Sequence, residues 1–134
     1  MPEFYPEHDS AGKSEFMRGY LGCAEWLLDD ESPQEEGGID RAKIRGWSRA
    51  AIKSARADCA DFVKANAADL ELYYELTDRD ESSAGNDFWL TRNRHGAGFW
   101  DRGIDPVFKR LTKAAHAYGE RNVFCQRGWL GIEG

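Results

Sequence analysis

Between Gly85 and Gly103 the chain reads GNDFWLTRNRHGAGFWDRG, and this stretch limits the possible folds more than any other. Two aromatic dipeptides, Phe88-Trp89 and Phe99-Trp100, flank a glycine-bearing segment that carries Arg92, Asn93, Arg94 and His95. Phe88 and Leu90 alternate with Trp89 and Thr91, the period of a half-buried strand. Gly96-Ala97-Gly98 then turns the chain, since glycine adopts positive φ at no steric cost. Phe99-Trp100 begins a return strand. The pattern predicts a β-hairpin with Phe88 and Phe99 buried, Trp89 and Trp100 half-buried, and Arg94 and His95 exposed at the turn.

The flanking segments predict helices. Ser14 suits an N-cap, and Phe16, Tyr20, Cys23, Ala24, Leu27 and Leu28 recur at helical spacing, so 15–28 reads as an amphipathic helix. Gly19 and Gly22 lie near its apolar face, where they would allow close packing. Residues 29–38, DDESPQEEGG, read as an acidic loop. A short helical lead-in at 40–46 precedes the main helix at 47–67, whose apolar face is traced by Ile52, Ala55, Cys59, Phe62 and Val63. Leu70, Leu72, Tyr73 and Leu76 either extend it or form a second short helix, and 78–86 reads as a polar loop. Asp105-Pro106 starts a helix at 106–118, as N-cap and first helical residue, and Gly119 stands where that helix stops. Val123-Phe124-Cys125 and Trp129-Leu130 with Ile132 read as two further strands about an Arg127-Gly128 turn. The expected architecture is α+β in a single domain, 1–134, with residues 1–13 irregular. A small, mainly antiparallel sheet of about four strands (87–92, 98–101, 121–126 and 129–132) packs against about three helices.

Length and composition narrow the function classes. With 134 residues, 41% of them hydrophobic, the chain can bury a core unaided, which excludes disorder throughout. No apolar run approaches the roughly 18 residues of a membrane span. The N-terminus lacks the basic start and apolar stretch of a signal peptide, so a cytoplasmic location is expected. Cys23, Cys59 and Cys125 are far apart with no CxxC spacing, and read as small hydrophobes in a reducing compartment. The net charge of −6 is uneven: residues 1–40 hold eleven acids and two bases, and the other residues are slightly basic.

No established catalytic or cofactor motif accompanies the 85–103 segment. His95 is the best catalytic candidate by position. Asp87 and Asp101 sit at the outer ends of the expected strands, so a His–Asp pair would need a carboxylate from another element. The structural alternative has His95 and Asn93 satisfying turn backbone groups, with Asp87 and Asp101 pairing Arg102 or Arg92. His8, His95 and His116 lack ligand spacing, so no metal is expected, and His116 is expected to be exposed. The GAG turn leads into a strand, not a helix, so no phosphate loop and no cofactor are expected. Arginines beside four aromatic residues suit a platform for single-stranded nucleic acid, and equally the anchors of a protein interface.

Three segments, DFWLTRNRHGAGFWDRG at 87–103, LTKAAHAYGE at 111–120 and more weakly ADCADFVKANAADL at 57–70, together resemble a family of small bacteriophage-encoded proteins. The resemblance covers the chain from about residue 40 onward. It implies a phage accessory protein in the host cytoplasm and no particular activity. Arg94 departs from the pattern, standing where Gly is usual. The QRGW turn at 126–129 replaces a more acidic, glycine-rich one, and the acidic extension before residue 40 is particular to this chain. Some small acidic phage proteins inhibit host defence systems, CRISPR effectors among them. The resulting expectation is a non-enzymatic, anti-CRISPR-like inhibitor that contacts a host protein or ribonucleoprotein complex with a basic surface. Its expected contact residues are Asp29, Asp30, Glu31, Glu35 and Glu36 in the acidic loop, and Trp89, Arg92, Asn93, Arg94, His95, Trp100 and Arg102 in the hairpin. Direct nucleic-acid binding by the hairpin is the second reading, and an enzyme built on His95 the third.

Overall fold

The computed structural model describes residues 13–28 and 43–134. Helix α1 (Glu15–Trp26) begins where its cap predicts, with Ser14 Oγ accepting the Met17 amide at 3.1 Å. Phe16, Met17, Tyr20 and Ala24 form its buried face. Gly46–Trp47 form a short strand, β1, at the end of the helical lead-in expected over 40–46, of which residues 40–42 lie outside the described residues. Ser48 then caps α2 (Arg49–Ala65), its Oγ accepting the Ala51 amide at 3.1 Å. Ile52, Ala55, Cys59 and Phe62 point inward from α2, as their spacing predicts. Asn66 leaves helical geometry at φ −120°, and α3 (Ala67–Thr77) follows as a separate helix that buries Leu70 and Tyr73.

The largest departure from expectation comes next. Only 78–80 of the expected loop 78–86 form a connection, and 87–92 are not a strand, because α4 runs from Glu81 to Arg92. Asp80 caps it, with Oδ1 accepting the Ser83 amide at 2.9 Å, and Glu81 places negative charge in the first turn. Phe99–Asp101 form one 3₁₀ turn instead of a return strand. The expected hairpin at 87–101 therefore does not exist. The physical reason lies in burial. Helix α4 buries Ala84, Gly85, Asp87, Phe88, Trp89, Thr91 and Arg92, so it is enclosed on nearly every side. Such a helix shows no apolar stripe of period 3.6, and four alternating residues suffice to imitate a strand.

Helix α5 (Pro106–His116) matches its local signals: Asp105 Oδ1 accepts the Val107 amide at 2.9 Å, and Gly119 follows with φ +76°. Strands β2 (Asn122–Gln126) and β3 (Trp129–Glu133) pair antiparallel. Arg127 and Gly128 join them with positive φ of 53° and 88°, a two-residue turn whose twist matches that of the strands. Strand β1 lies on the other side of β3, parallel to it, with Gly46 opposite Trp129 and Trp47 opposite Leu130. The sheet is thus three-stranded and mixed, in the order β1-β3-β2, rather than four-stranded and mainly antiparallel. The described residues hold five α-helices rather than three, and the class is α+β.

Helices α1 and α4 meet at glycines. A Cβ on Gly19 would lie 1.8 Å from the Ser82 carbonyl oxygen, and one on Gly85 would lie 1.8 Å from that of Phe16. This backbone approach sets Tyr20 against Phe88, which stacks on Phe62 with ring centres 4.2 Å apart. A Cβ on Gly22, in contrast, would meet nothing among the described residues. Phe88 and Phe99 are buried as expected, although neither lies on a strand. No helix among the described residues is long and apolar enough to cross a membrane.

Candidate functional site

Most polar residues of the 85–103 segment are held inside the fold. Arg92, expected at a contact surface, has a fully buried side chain. Its Nε donates to the Gly119 carbonyl at 2.9 Å and its Nη2 to that of Tyr118 at 2.8 Å. Its Nη1 donates to Tyr20 Oη at 2.9 Å and to Asp58 Oδ2 at 2.7 Å. The guanidinium also lies 5.6 Å from the ring centres of Phe88 and Tyr118. One side chain therefore ties α1, α2 and α4 to the exit of α5. Burial pushes the Tyr20 hydroxyl well above its ordinary pKa, with Arg92 acting in the opposite direction, so the phenol stays protonated.

Asp87 forms a second interior network. Its carboxylate is fully buried and accepts Arg102 Nη2 at 2.6 Å and Nε at 3.0 Å, a bidentate pair. Tyr73 Oη donates to Asp87 Oδ2 at 2.7 Å, and Arg79 Nε donates to Tyr73 Oη at 2.9 Å. The hydrogen bond to Asp87 holds the Arg102 guanidinium above its ordinary pKa. Burial raises the Tyr73 hydroxyl, and the Asp87 charge raises it further. Of the pairings expected from sequence, Asp87–Arg102 forms, and Asp101 Oδ1 also lies 3.9 Å from Arg102 Nε. Arg92 instead takes Asp58, a partner 34 residues away that no local spacing signals.

The other expected contact residues divide. Trp89 is 1% exposed rather than half-buried. Asn93 Nδ2 donates to the Trp89 carbonyl at 3.0 Å, and its Oδ1 accepts the Arg121 amide at 2.7 Å. Arg94 is exposed and sits at φ +56°, the left-handed region that glycine prefers. Trp100 is 48% exposed. His95 and His116 are both half-buried rather than exposed, and the His95 amide donates to the Leu90 carbonyl at 3.0 Å. Asp29, Asp30, Glu31, Glu35 and Glu36 lie outside the described residues. Thr91 Oγ1 accepts the Phe99 amide at 3.0 Å, and a Cβ on Gly98 would come within 2.3 Å of it, which accounts for that glycine. Cys23 and Cys59 are buried, and burial raises the Cys59 thiol pKa, which favours the protonated thiol.

Trp89, Asn93, His95, Glu120, Arg121 and Asn122 help line a polar cavity of about 390 Å³. Glu120 is the carboxylate that shares this cavity with His95. Trp89 Nε1 is a buried donor with no hydrogen-bond partner among the described residues.

The mixture of aromatic and basic side chains expected at 87–102 occurs instead on the β2–β3 hairpin. The register sets Phe124 opposite Gly131 and Gln126 opposite Trp129, so these four residues share the outer face. Val123, Cys125, Leu130 and Ile132 face the core. Phe124 is 38% exposed, and a Cβ on Gly131 would lie 2.1 Å from its ring, so the ring covers that position. Gly46, beside Trp129 on β1, adds no side chain. A depression of about 640 Å³ is lined by Arg49, Ala50, Phe124, Gln126, Arg127 and Trp129, with no carboxylate among the described lining residues. Arg45 donates its amide to the Gly128 carbonyl at 2.7 Å, and the Lys43 carbonyl also borders Gly128. Arg45, Arg49 and Arg127 thus gather at one end of the sheet, where the Lys43 backbone also passes. In the sequence, the Arg127-Gly128 turn was visible, but the face it presents depends on the pairing register.

Comparison with protein-family models, curated proteins and solved structures finds no match to this chain. The resemblance to phage proteins gains no support from it.

Proposed function

We propose that this chain is a non-enzymatic interaction protein and that the outer face of the β2–β3 hairpin meets an anionic partner. One observation carries the reading: Arg49 and Arg127 line one depression with two aromatic rings, and Arg45 packs against the adjoining Gly128 turn, on a chain whose net charge is −6. Screening limits each exposed charge to about 8–10 Å, so a basic face persists on an acidic chain. Its cations would steer the encounter and its rings would supply apolar contact area. In the phage setting implied by the sequence resemblance, the partner would be a host complex whose function is blocked by occupation of its surface.

Retention on immobilised heparin tests this reading. The wild-type chain is expected to bind at low salt and to elute as salt rises. The double variant Arg49→Ser/Arg127→Asn is expected to elute earlier. Passage of the wild-type chain without retention overturns the reading.

A second reading keeps the acidic region as the contact. Its support is the charge of −9 over residues 1–40, which suits a basic host surface. Replacing Asp29, Asp30, Glu31, Glu35 and Glu36 by Ser or Gln is then expected to slow association with such a partner and weaken its salt dependence. Unchanged association would count against it.

A further inference from the structure

We infer that copies of this chain associate through a second surface, in which Ile104 and Trp100 of one copy enter the apolar groove where α1, α2 and α3 meet on another.

The chain from Gly98 to Asp105 is pinned at intervals and displays what lies between the pins. Phe99 is buried, and its amide donates to Thr91 Oγ1 at 3.0 Å. Arg102 grips the buried Asp87 through two hydrogen bonds, and Asp105 caps α5. A Cβ on Gly103 would lie 2.6 Å from the Phe108 ring, so the backbone there rests on that ring. Between these anchors Trp100 is about half exposed and Ile104 wholly exposed, and neither belongs to the core. A loop already fixed in place loses little freedom when its apolar side chains are covered, and tryptophan is a favoured interface anchor.

The groove that receives them encloses about 480 Å³. Buried Phe16, Met17, Cys59 and Leu70 and half-buried Val63 and Tyr74 line it. Asn66 breaks helical geometry between α2 and α3, and the small Ala60 and Ala67 leave the space unfilled. Arg56, Lys64, Glu71 and Glu81 also line it, two cations against two carboxylates, so their charges balance round an uncharged insert. Tyr73 of α3 meets Phe99 beneath the loop, while Tyr74, the next residue, lines the groove. Successive helical residues point about 100° apart, so loop and groove face different ways and meet between copies rather than within one. A second copy covers an apolar protrusion and fills an apolar groove in a single contact, whereas an unrelated partner would cover only one of them. Each copy carries a net charge of −6, so screening of their mutual repulsion should strengthen this contact as salt rises. That salt dependence is opposite in sign to retention on heparin.

Sedimentation velocity of the full chain over a range of concentrations tests the inference. The average mass is expected to rise above that of one chain with concentration, and to rise further with added salt. Ile104→Ser removes the insert, and Ala60→Arg obstructs the groove while making the net charge less negative. Each is expected to weaken self-association at least about tenfold with an unchanged melting temperature. If Ala60→Arg lowers the melting temperature, Ala67→Arg obstructs the groove from its other side. An equimolar mixture of the loop and groove variants is expected to form pairs of one copy of each, since one keeps a sound groove and the other a sound loop. A wild-type mass that stays at one chain, self-association that neither variant weakens, or a mixture that stays monomeric overturns the inference. The hairpin reading is untouched by any of these results, because it is decided by heparin retention.

Discussion

The segment 85–103 and the hairpin 122–133 contain the same kinds of residue, arginine, tryptophan, phenylalanine and glycine, and the fold uses them in opposite ways. In the first, Arg92 and Asp87 are buried and each makes several hydrogen bonds to named partners. In the second, Phe124 and Arg127 are exposed, and Gly131 holds a ring at the surface instead of a backbone in the core. Residue types that recur in binding sites therefore do not mark one. What separates the two regions is where each donor and ring finds its partner, and that depends on contacts far apart in sequence.

The largest effect that would sharpen this contrast is at Arg92. Arg92→Met leaves Asp58, Tyr20 and two carbonyls without their donor, and is expected to cost about 3 kcal/mol or more in urea unfolding. The counterpart in the hairpin, Arg127→Asn, should stay within about 0.5 kcal/mol of wild type. Equal losses in the two variants would erase the distinction. Next comes the helix crossing. Gly85→Ala pushes a methyl group into the Phe16 carbonyl and is expected to cost about 1–3 kcal/mol. Gly22→Ala, where a Cβ meets nothing, should instead gain up to about 1 kcal/mol of helix propensity. A loss at both glycines would mean that α1 tolerates no alanine at all, and that the close contact is not the cause.

A smaller and opposite effect is expected at Arg94. The residue pays a steric penalty at φ +56°, so Arg94→Gly should raise the denaturation midpoint by an amount equivalent to about 0.5–1 kcal/mol. A fall in the midpoint would show that the Arg94 side chain contributes contacts like those of Arg92. The smallest effect is a pH dependence at His116. Partial burial lowers its pKa below the ordinary 6.5, and the Arg94 charge lowers it further. A depressed histidine pKa favours the neutral form in the folded state. Its stabilising contribution is therefore present above pH 6.5 and fades as the pH falls through the lower folded value. Melting temperatures from pH 7.5 to 5 should fall slightly less steeply in His116→Gln than in wild type. A steeper fall in the variant would reverse the sign.

Sequence reading succeeded where a structural instruction is local. Ser14 starts α1, Asp105-Pro106 starts α5, and Arg127-Gly128 turns β2 into β3, each through bonds or dihedral preferences within a few residues. It failed at α4 although Asp80 and Glu81 carry a valid helix start, because the polar run DRDESS looks equally like a loop. The aromatic alternation after it then favoured a strand, and a helix buried on all sides gave no competing period. The same blindness hid the site. Trp129 and Phe124 were legible as strand residues, and the two-residue turn puts them on one face, but the chain that brings Arg45 and Arg49 beside them arrives only through β1 pairing with β3 across some 80 residues. Gly19 stood out correctly as a packing residue, whereas its counterpart, Gly85, looked like part of a loop.

That β3 occupies the centre of the sheet also orders events during synthesis. The N-terminal side emerges first, and α1, α2 and α4 can associate while translation continues. Strand β1 has been made by then, yet its backbone has no neighbour until Trp129–Glu133 leave the ribosome. Strand β2 waits for the same five residues. The nascent chain therefore carries two unmatched strand edges, Trp47 beside one of them, until β3 arrives and closes both at once.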